Sequence, residues 1–284
     1  MSRRTLRLVA GAKTVAQTVE AASRAFEREL ARVYRDLTAQ LGPLLEQAAR
    51  GSRTGLIQAA QAAQVRRELG AALEAAGFRT LADAGTSDPL DAVARDVLKN
   101  RRLAGASATL SRGVRLRLEA LKALQLEDLL DEGQEVARAL YQATVRGVFN
   151  SRPAAQILAD LSAVLDDTAP HLATFYDTSV SIYGRQVEAL QAGDAPETTF
   201  AYMGPADSRT RPFCLRHVGK VYTRETIDAL DNGQLDNVFL TGGGYNCRHV
   251  FVEVSQASEL QDLVGTSGRV PEVQDQLDGL EEAA

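Results

Sequence analysis

The residue types that can coordinate a metal or move a proton gather in one window of this chain. Both cysteines and two of the three histidines lie between Cys214 and His249. They form two pairs, Cys214-Leu-Arg-His217 and Cys247-Arg-His249, with 29 residues between them. Two thiolates and two imidazoles are the donor set that tetrahedral zinc prefers. The Cys-x-x-His spacing suits a chelating knuckle. Cys247 and His249, two apart on the approach to a strand, share a face. A module this small has little core of its own, so one structural zinc on Cys214, His217, Cys247 and His249 would add stability that burial cannot. Two other readings stay open. The cysteines are also consistent with buried free thiols, or with a disulfide once the protein leaves a reducing compartment, the histidines then being surface hydrogen-bonders.

Other residues in the window suggest weaker alternatives. His217, Asn246 and His249 match the residue types of small metal-dependent nucleases, in which one His activates water and another helps to hold a cation. Both histidines then compete with the zinc, and no third acidic ligand is well spaced. Asp207, Arg209 and Arg211 could grip a phosphate. The simpler reading has Asp207 closing a turn through its own side chain while an Arg pairs with a carboxylate. Gly242-Gly243-Gly244 is followed by no helix and no Lys-Ser/Thr, so it reads as a loop with unusual backbone angles, not a nucleotide-binding loop. No Ser-His-Asp or paired-carboxylate arrangement stands out. His171, beside Pro170, reads as a helix-start residue.

The elements that must position these groups follow from composition and periodicity. A chain of 284 residues suggests two units, and 45% hydrophobic with 24% charged residues excludes wholesale disorder. Trp is absent and aromatics are 5%, which favours packed Ala- and Leu-rich helices. Residues 1–150 carry 23 Lys+Arg against 17 Asp+Glu, and residues 151–284 nine against 20. A basic half can lie on nucleic acid or an acidic partner, and a solvated Arg-rich helical surface is the plain alternative. No apolar run approaches a membrane span, so no membrane partner is expected. No apolar core follows the basic N-terminal residues, so a cleaved secretory signal is not expected and synthesis in the cytosol is.

Phe26, Leu30, Val33, Tyr34, Leu37 and Leu41 make one helical stripe, which Gly42-Pro43 is expected to interrupt. Helix continues through Leu69 and Leu73 to Gly77, and 83–89 has the punctuation of a loop. Leu90, Val93, Val97 and Leu98 mark a short helix, and Leu110 to Val148 a longer one with a weak point at Gly133. Helices are expected to start at Ser151-Arg152-Pro153 and again at Thr168-Ala169-Pro170, the second ending at Gly193–Pro196. Short strands follow at 198–203, 219–223 and 250–254, with a helix capped by Thr223 that ends near Asp231-Asn232-Gly233. The expected fold is mainly α with a small C-terminal α+β module: long N-terminal helices, then a short-stranded Cys/His knuckle domain. Its expected divisions are a basic helical region 1–150, a helical connector 151–197 packing on the module, the module 198–255, and an acidic, mobile tail 256–284.

Three ordered blocks of the module resemble a known family. Asp207-Ser-Arg209-Thr210-Arg211-Pro212-Phe-Cys214, then Gly219-Lys-Val-Tyr-Thr-Arg-Glu-Thr-Ile227, then Gly243-Gly-Tyr-Asn246-Cys247-Arg248-His249 are similar to the C-terminal domain of the phage Mu F-like head-morphogenesis proteins, the minor head proteins of tailed bacteriophages. The likeness covers 198–255 closely, and the helices before it agree with the family's variable helical N-terminal region. It implies a non-enzymatic component of the virion, made in the host cytoplasm and placed in the capsid interior or at the portal vertex in a few copies. The implied partners are the portal protein, major capsid or scaffold proteins and packaged DNA, with a role in head assembly and DNA packaging or ejection. It also implies Cys214, His217, Cys247 and His249 as a metal or disulfide knuckle, the second of each pair being His where Cys is common in relatives. The 29 residues after Ser255 are too few for the toxin or transferase domain some relatives carry there. A metal-dependent nuclease and a cytosolic DNA-binding module using the Arg-rich stretch 95–117 stand as the alternatives.

Overall fold

The computed structural model describes residues 3–49, 59–103, 105–192 and 198–254. Six helices come first: α1 (Arg3–Ala49), α2 (Ala59–Ala75), α3 (Phe78–Thr86), α4 (Asp88–Leu103), α5 (Arg112–Phe149) and α6 (Ala154–Gln191). They are followed by β1 (Thr199–Met203), α7 (Pro212–His217), β2 (Val221–Thr223), α8 (Arg224–Asp228), α9 (Val238–Thr241) and β3 (Val250–Val254). The fold is therefore mainly α with a small C-terminal α+β module, as expected. The sheet is antiparallel in the order β2-β1-β3, with Phe200 opposite Tyr222 and Tyr202 opposite Phe251. Among the described residues no helix is long and apolar enough to cross a membrane.

The helices are longer than local punctuation suggests. α1 runs through Gly42-Pro43 because Leu41 and Leu45 continue the stripe begun at Phe26, both essentially fully buried. Burial on either side outweighs the one backbone hydrogen bond that Pro43 cannot make. α6 likewise runs through Pro170, where Leu165 and Leu172 are buried and the Thr168 hydroxyl turns back to the Leu165 carbonyl. The expected loop at 83–89 is instead a joint at Ser87 between α3 and α4. The Thr86 hydroxyl donates to the Ala82 carbonyl at 2.9 Å, and Pro89 sits in the first turn of α4 where its missing N–H is harmless. α5 does not weaken at Gly133, since a Cβ there would lie 2.3 Å from the Phe78 ring. That glycine is a close approach between helices. Thr223 caps α8 by accepting from the Thr226 N–H, but the helix ends at Asp228, earlier than expected. The expected helix end at 193–196 and the tail 256–284 lie outside the described residues.

Packing divides the chain into two units that differ from the linear divisions expected at 150 and 197. The described residues of 1–22, 87–122 and 177–284 form one, and those of 23–86 and 123–176 the other. The reason is length: α1, α5 and α6 each contribute residues to both. The second unit is helical, built on Leu30, Leu37, Leu41 and Leu140, with Phe26 stacked on Tyr176 at 4.1 Å and the Tyr176 hydroxyl bonded to the Gly85 carbonyl. The first unit holds the sheet. Its core joins Phe200, Tyr202, Phe239 and Phe251 to Ile227 and Val252. Beside that core, the fully buried Arg101 of α4 bonds Glu188 of α6, Glu253 of β3 and two backbone carbonyls. Arg101 therefore leaves the exposed basic stretch 95–117, while Arg95, Lys99, Arg102, Arg112, Arg115 and Arg117 remain exposed.

Candidate metal centre

Three elements of the first unit carry the soft donors to one point. α7 begins at Pro212, whose fixed φ suits a first helical position, and its next turn sinks Cys214 into the core. The chain leaving α9 turns through Gly242–Gly244 and delivers Cys247 and His249 just before β3. Cys214, Cys247 and His249 are 2%, 5% and 2% exposed, and their donor atoms lie within 4.8 Å of one another. These three side chains can hold a metal ion.

The distances fit such an ion. Two sulfurs at about 2.3 Å from a tetrahedral zinc stand about 3.8 Å apart. Sγ of Cys214 and Sγ of Cys247 are 3.8 Å apart, and His249 Nδ1 is 3.8 Å from Cys247 Sγ. The sulfurs are unbonded, far beyond the ~2.05 Å of a disulfide. His249 Nε2 is buried without a hydrogen-bond partner among the described residues. The buried His249 ring turns its other nitrogen, Nδ1, toward the Cys247 sulfur, where it can serve an ion as third donor.

His217, expected as the fourth ligand, is not in this group. It sits three residues after Cys214, one helical turn along, but its ring packs on Phe213 and its Nδ1 lies 2.7 Å from the Tyr222 hydroxyl of β2. An aromatic neighbour and a hydroxyl within reach decide the rotamer, and the donor group has three members.

The surroundings favour a thiolate at Cys247. Cys247 is shifted well below the usual thiol range because it receives a hydrogen bond from the Cys214 thiol, with His249 and the Arg185 guanidinium acting in the same direction. Backbone N–H groups of Gly243 and His249 also point at its sulfur, at 3.0 and 3.5 Å. Cys214, as the donor of the pair and buried, is shifted up. The Gly242-Gly243 step has a specific cause: a Cβ on Gly243 would meet Cys214 Sγ at 2.3 Å, and one on Gly242, at φ +58°, Cys247 Sγ at 2.9 Å. Only bare backbone comes this close to both sulfurs. The unusual loop expected here is present, and its purpose is access to sulfur.

The remaining motif residues brace the module. Asp207 accepts both Arg248 nitrogens, at 2.6 and 2.7 Å, and the Arg209 N–H at 3.0 Å. The Arg248 pairing holds its carboxyl far below the usual range. The Thr210 hydroxyl accepts the Asp207 N–H and donates to the Pro205 carbonyl, while Arg209 pairs with Glu20. Arg211 bonds Gln234 and the Gly243 carbonyl, tying α7 to the glycine loop. Asn246, at φ 53°, bonds Thr178 of α6 through its N–H. Two important residues escape motif reading. Arg185, 2% exposed, staples the loop by donating to the carbonyls of Leu240, Cys247 and His249. Tyr202, fully buried, places its hydroxyl 3.4 and 3.5 Å from the two sulfurs. The only hint of Arg185 in the sequence is a lone cation inside the apolar face Val180–Tyr183–Val187. Comparison with known proteins adds no relative: no family model, curated protein or solved structure matches the chain.

Proposed function

We propose that this chain is a non-enzymatic building component of a tailed-bacteriophage head, a minor head protein acting at or near the portal and inner capsid. The motif blocks that resemble the Mu F-like proteins support it. The observation that carries the non-enzymatic part is the closure of the donor group: every donor is buried, and the sulfurs face glycine backbone and the Tyr202 hydroxyl. Catalytic metal sites keep an open coordination position, whereas structural ones are closed. One structural zinc is the metal this reading takes, held by Cys214, Cys247 and His249. The motif residues Asp207, Arg209, Thr210, Arg211 and Arg248 act as braces. Against a nuclease, His217 stays outside the donor group of His249 and lies 2.7 Å from the Tyr222 hydroxyl. The exposed cations between Arg95 and Arg117 offer the surface for DNA or an acidic partner, and portal, major capsid or scaffold proteins are the partners of the assembled state.

The test is fractionation of a phage lysate with an antibody to this chain. The reading expects the protein in procapsids and virions, in several copies per particle; a protein found only free in the lysate overturns it. Purified chain incubated with plasmid and Mg²⁺ or Mn²⁺ should leave the DNA uncut, and cleavage lost in His249→Ala would overturn the non-enzymatic part. Elemental analysis should find about one zinc per chain.

A further inference from the structure

We infer that Tyr202 supplies the fourth donor of the metal centre through its phenolate oxygen, making a Cys₂-His-Tyr site. This rests on the metal reading above and adds a ligand to it.

The first argument is geometric. A tetrahedral zinc with sulfur at about 2.3 Å and oxygen at about 2.0 Å sets each sulfur–oxygen edge near 3.5 Å. Tyr202 Oη lies 3.4 Å from Cys214 Sγ and 3.5 Å from Cys247 Sγ, so it stands almost evenly between them. A hydroxyl has one proton and as a donor serves one acceptor well. Near-equal spacing from two sulfurs is what the vertex of a tetrahedron requires. The sulfur–sulfur edge of 3.8 Å completes that face. β1 supplies the rigidity: Tyr202 is paired with Phe251, two residues beyond His249, and its ring stacks on the His249 imidazole at 5.2 Å with 16° between planes.

The second argument is burial. A three-ligand zinc ordinarily completes its shell with water, which needs an opening. Here Cys214, Cys247, His249 and Tyr202 are all 5% exposed or less, so the donors themselves are closed off from bulk solvent. A donor from the protein suits that burial better than a solvent water, and Tyr202 Oη already lies at the right distance.

The third argument is charge. Arg185 is 2% exposed, and among the described residues no carboxylate pairs with it; its hydrogen bonds go to three carbonyls. A buried cation needs a counter-charge. A divalent ion with two thiolates and a neutral imidazole is neutral, whereas the added phenolate gives the centre one negative charge beside Arg185. On binding, the Cys247 thiolate bonds the metal directly, metal–sulfur and metal–oxygen bonds replace the S–H of Cys214 and the O–H of Tyr202, those two protons go to solvent, and no electron moves.

The experiment is a titration of the metal-free full-length chain with Zn²⁺, which is itself colourless, followed in the near-ultraviolet difference spectrum. The expected result is one ionised tyrosine, of the seven present, per zinc bound. Tyr202→Phe should abolish that signal and weaken zinc binding by about 100-fold or more, since even an outer-shell partner is worth 10–100-fold. Tyr222→Phe should retain it. A parallel Co²⁺ titration reads thiolate coordination independently. Thiolate-to-cobalt absorption with no tyrosine ionisation in the unaltered chain overturns the fourth-ligand assignment and leaves the three-donor site standing. Ionisation that persists in Tyr202→Phe overturns it equally. If neither metal binds, the metal reading falls and this one with it. The unaltered chain alone decides the matter if the variant fails to fold.

Discussion

Gly243→Ala tests the metal centre with a single methyl group. Gly243, unlike Gly242 and Gly244, does not take a positive φ, so alanine brings no backbone strain there and the effect is steric alone. The new Cβ would lie 2.3 Å from Cys214 Sγ and 3.4 Å from Cys247 Sγ. Unstrained non-bonded contacts of this kind begin near ~3.5 Å, so the Cys214 sulfur must retreat by more than ~1 Å. A cysteine has one side-chain torsion with which to do so, and Phe213 on the same helix is also 3.4 Å from the added methyl. Overpacking of a full core costs about 1–3 kcal/mol. The consequence for a metal is larger, because a coordination site tolerates about 0.2 Å in its distances. Urea unfolding should therefore show the metal-free variant destabilised by about 1–3 kcal/mol. Zinc at 100 times its dissociation constant should add about 2.7 kcal/mol to the unaltered chain and much less to the variant. A variant with the parental midpoint and parental zinc affinity in competition with a chelator would refute the placement of the sulfurs against this loop.

Other perturbations separate the parts of the molecule. Gly70→Ala, inside α2 with open space around its Cβ, should stabilise by about 0.5–1 kcal/mol in urea unfolding, because the site is helical and unobstructed. Arg101→Met at pH 8 should destabilise by about 3–5 kcal/mol, since it strands Glu188 and Glu253 without their buried cation; adding Glu188→Gln should recover part of the loss in a double-mutant cycle. Burial pushes the Glu188 carboxyl up to about 7 against the opposing pull of Arg101. The folded state then holds a proton that the unfolded chain has released, so stability should fall as pH rises from about 4.5 through about 7, and Glu188→Gln should flatten that slope in melts across pH. Cys214→Ser and Cys247→Ser should each destabilise the 198–254 module more than the helical unit around Leu30 and Leu140, read by hydrogen exchange resolved along the chain.

The helical stripe Phe26–Leu41 and the face Leu90–Leu98 are legible from the chain because each rests on a repeating burial pattern, whereas the strands, whose burial does not alternate, are legible from their β-branched and aromatic residues between turn-forming ones. At Pro43, Pro170 and the 83–89 segment, punctuation predicts a stop that the helices do not make. Proline removes one hydrogen bond from a helix, a loss the intact stripe on both sides can override. Leu41 with Leu45, and Leu165 with Leu172, supply that stripe, and a reading weighted by apolar continuity across each proline would have joined the helices. The division into two units was less accessible. It depends on which half of a long helix meets which partner, and no local pattern along α1, α5 or α6 records that.

At the centre itself, residue type and spacing point to the three donors that meet, and to His217, which does not join them. Cys-x-x-His on a helix puts both side chains on one face, but a face offers several targets. His217 is taken by the Phe213 ring and the Tyr222 hydroxyl. Tyr202 carries no spacing signal at all, because it reaches the sulfurs through strand pairing: register with Phe251 brings it over His249, and burial leaves its hydroxyl nowhere else to go. Arg185 is hidden for the same reason, reaching the loop from α6 across more than fifty residues of chain. Ligands within one segment leave a pattern in sequence, whereas those brought by a sheet or a packed helix do not. Here the second kind includes both the proposed fourth donor and the cation that balances its charge, so substitutions at Tyr202 and Arg185 should disturb zinc binding more than any substitution at His217.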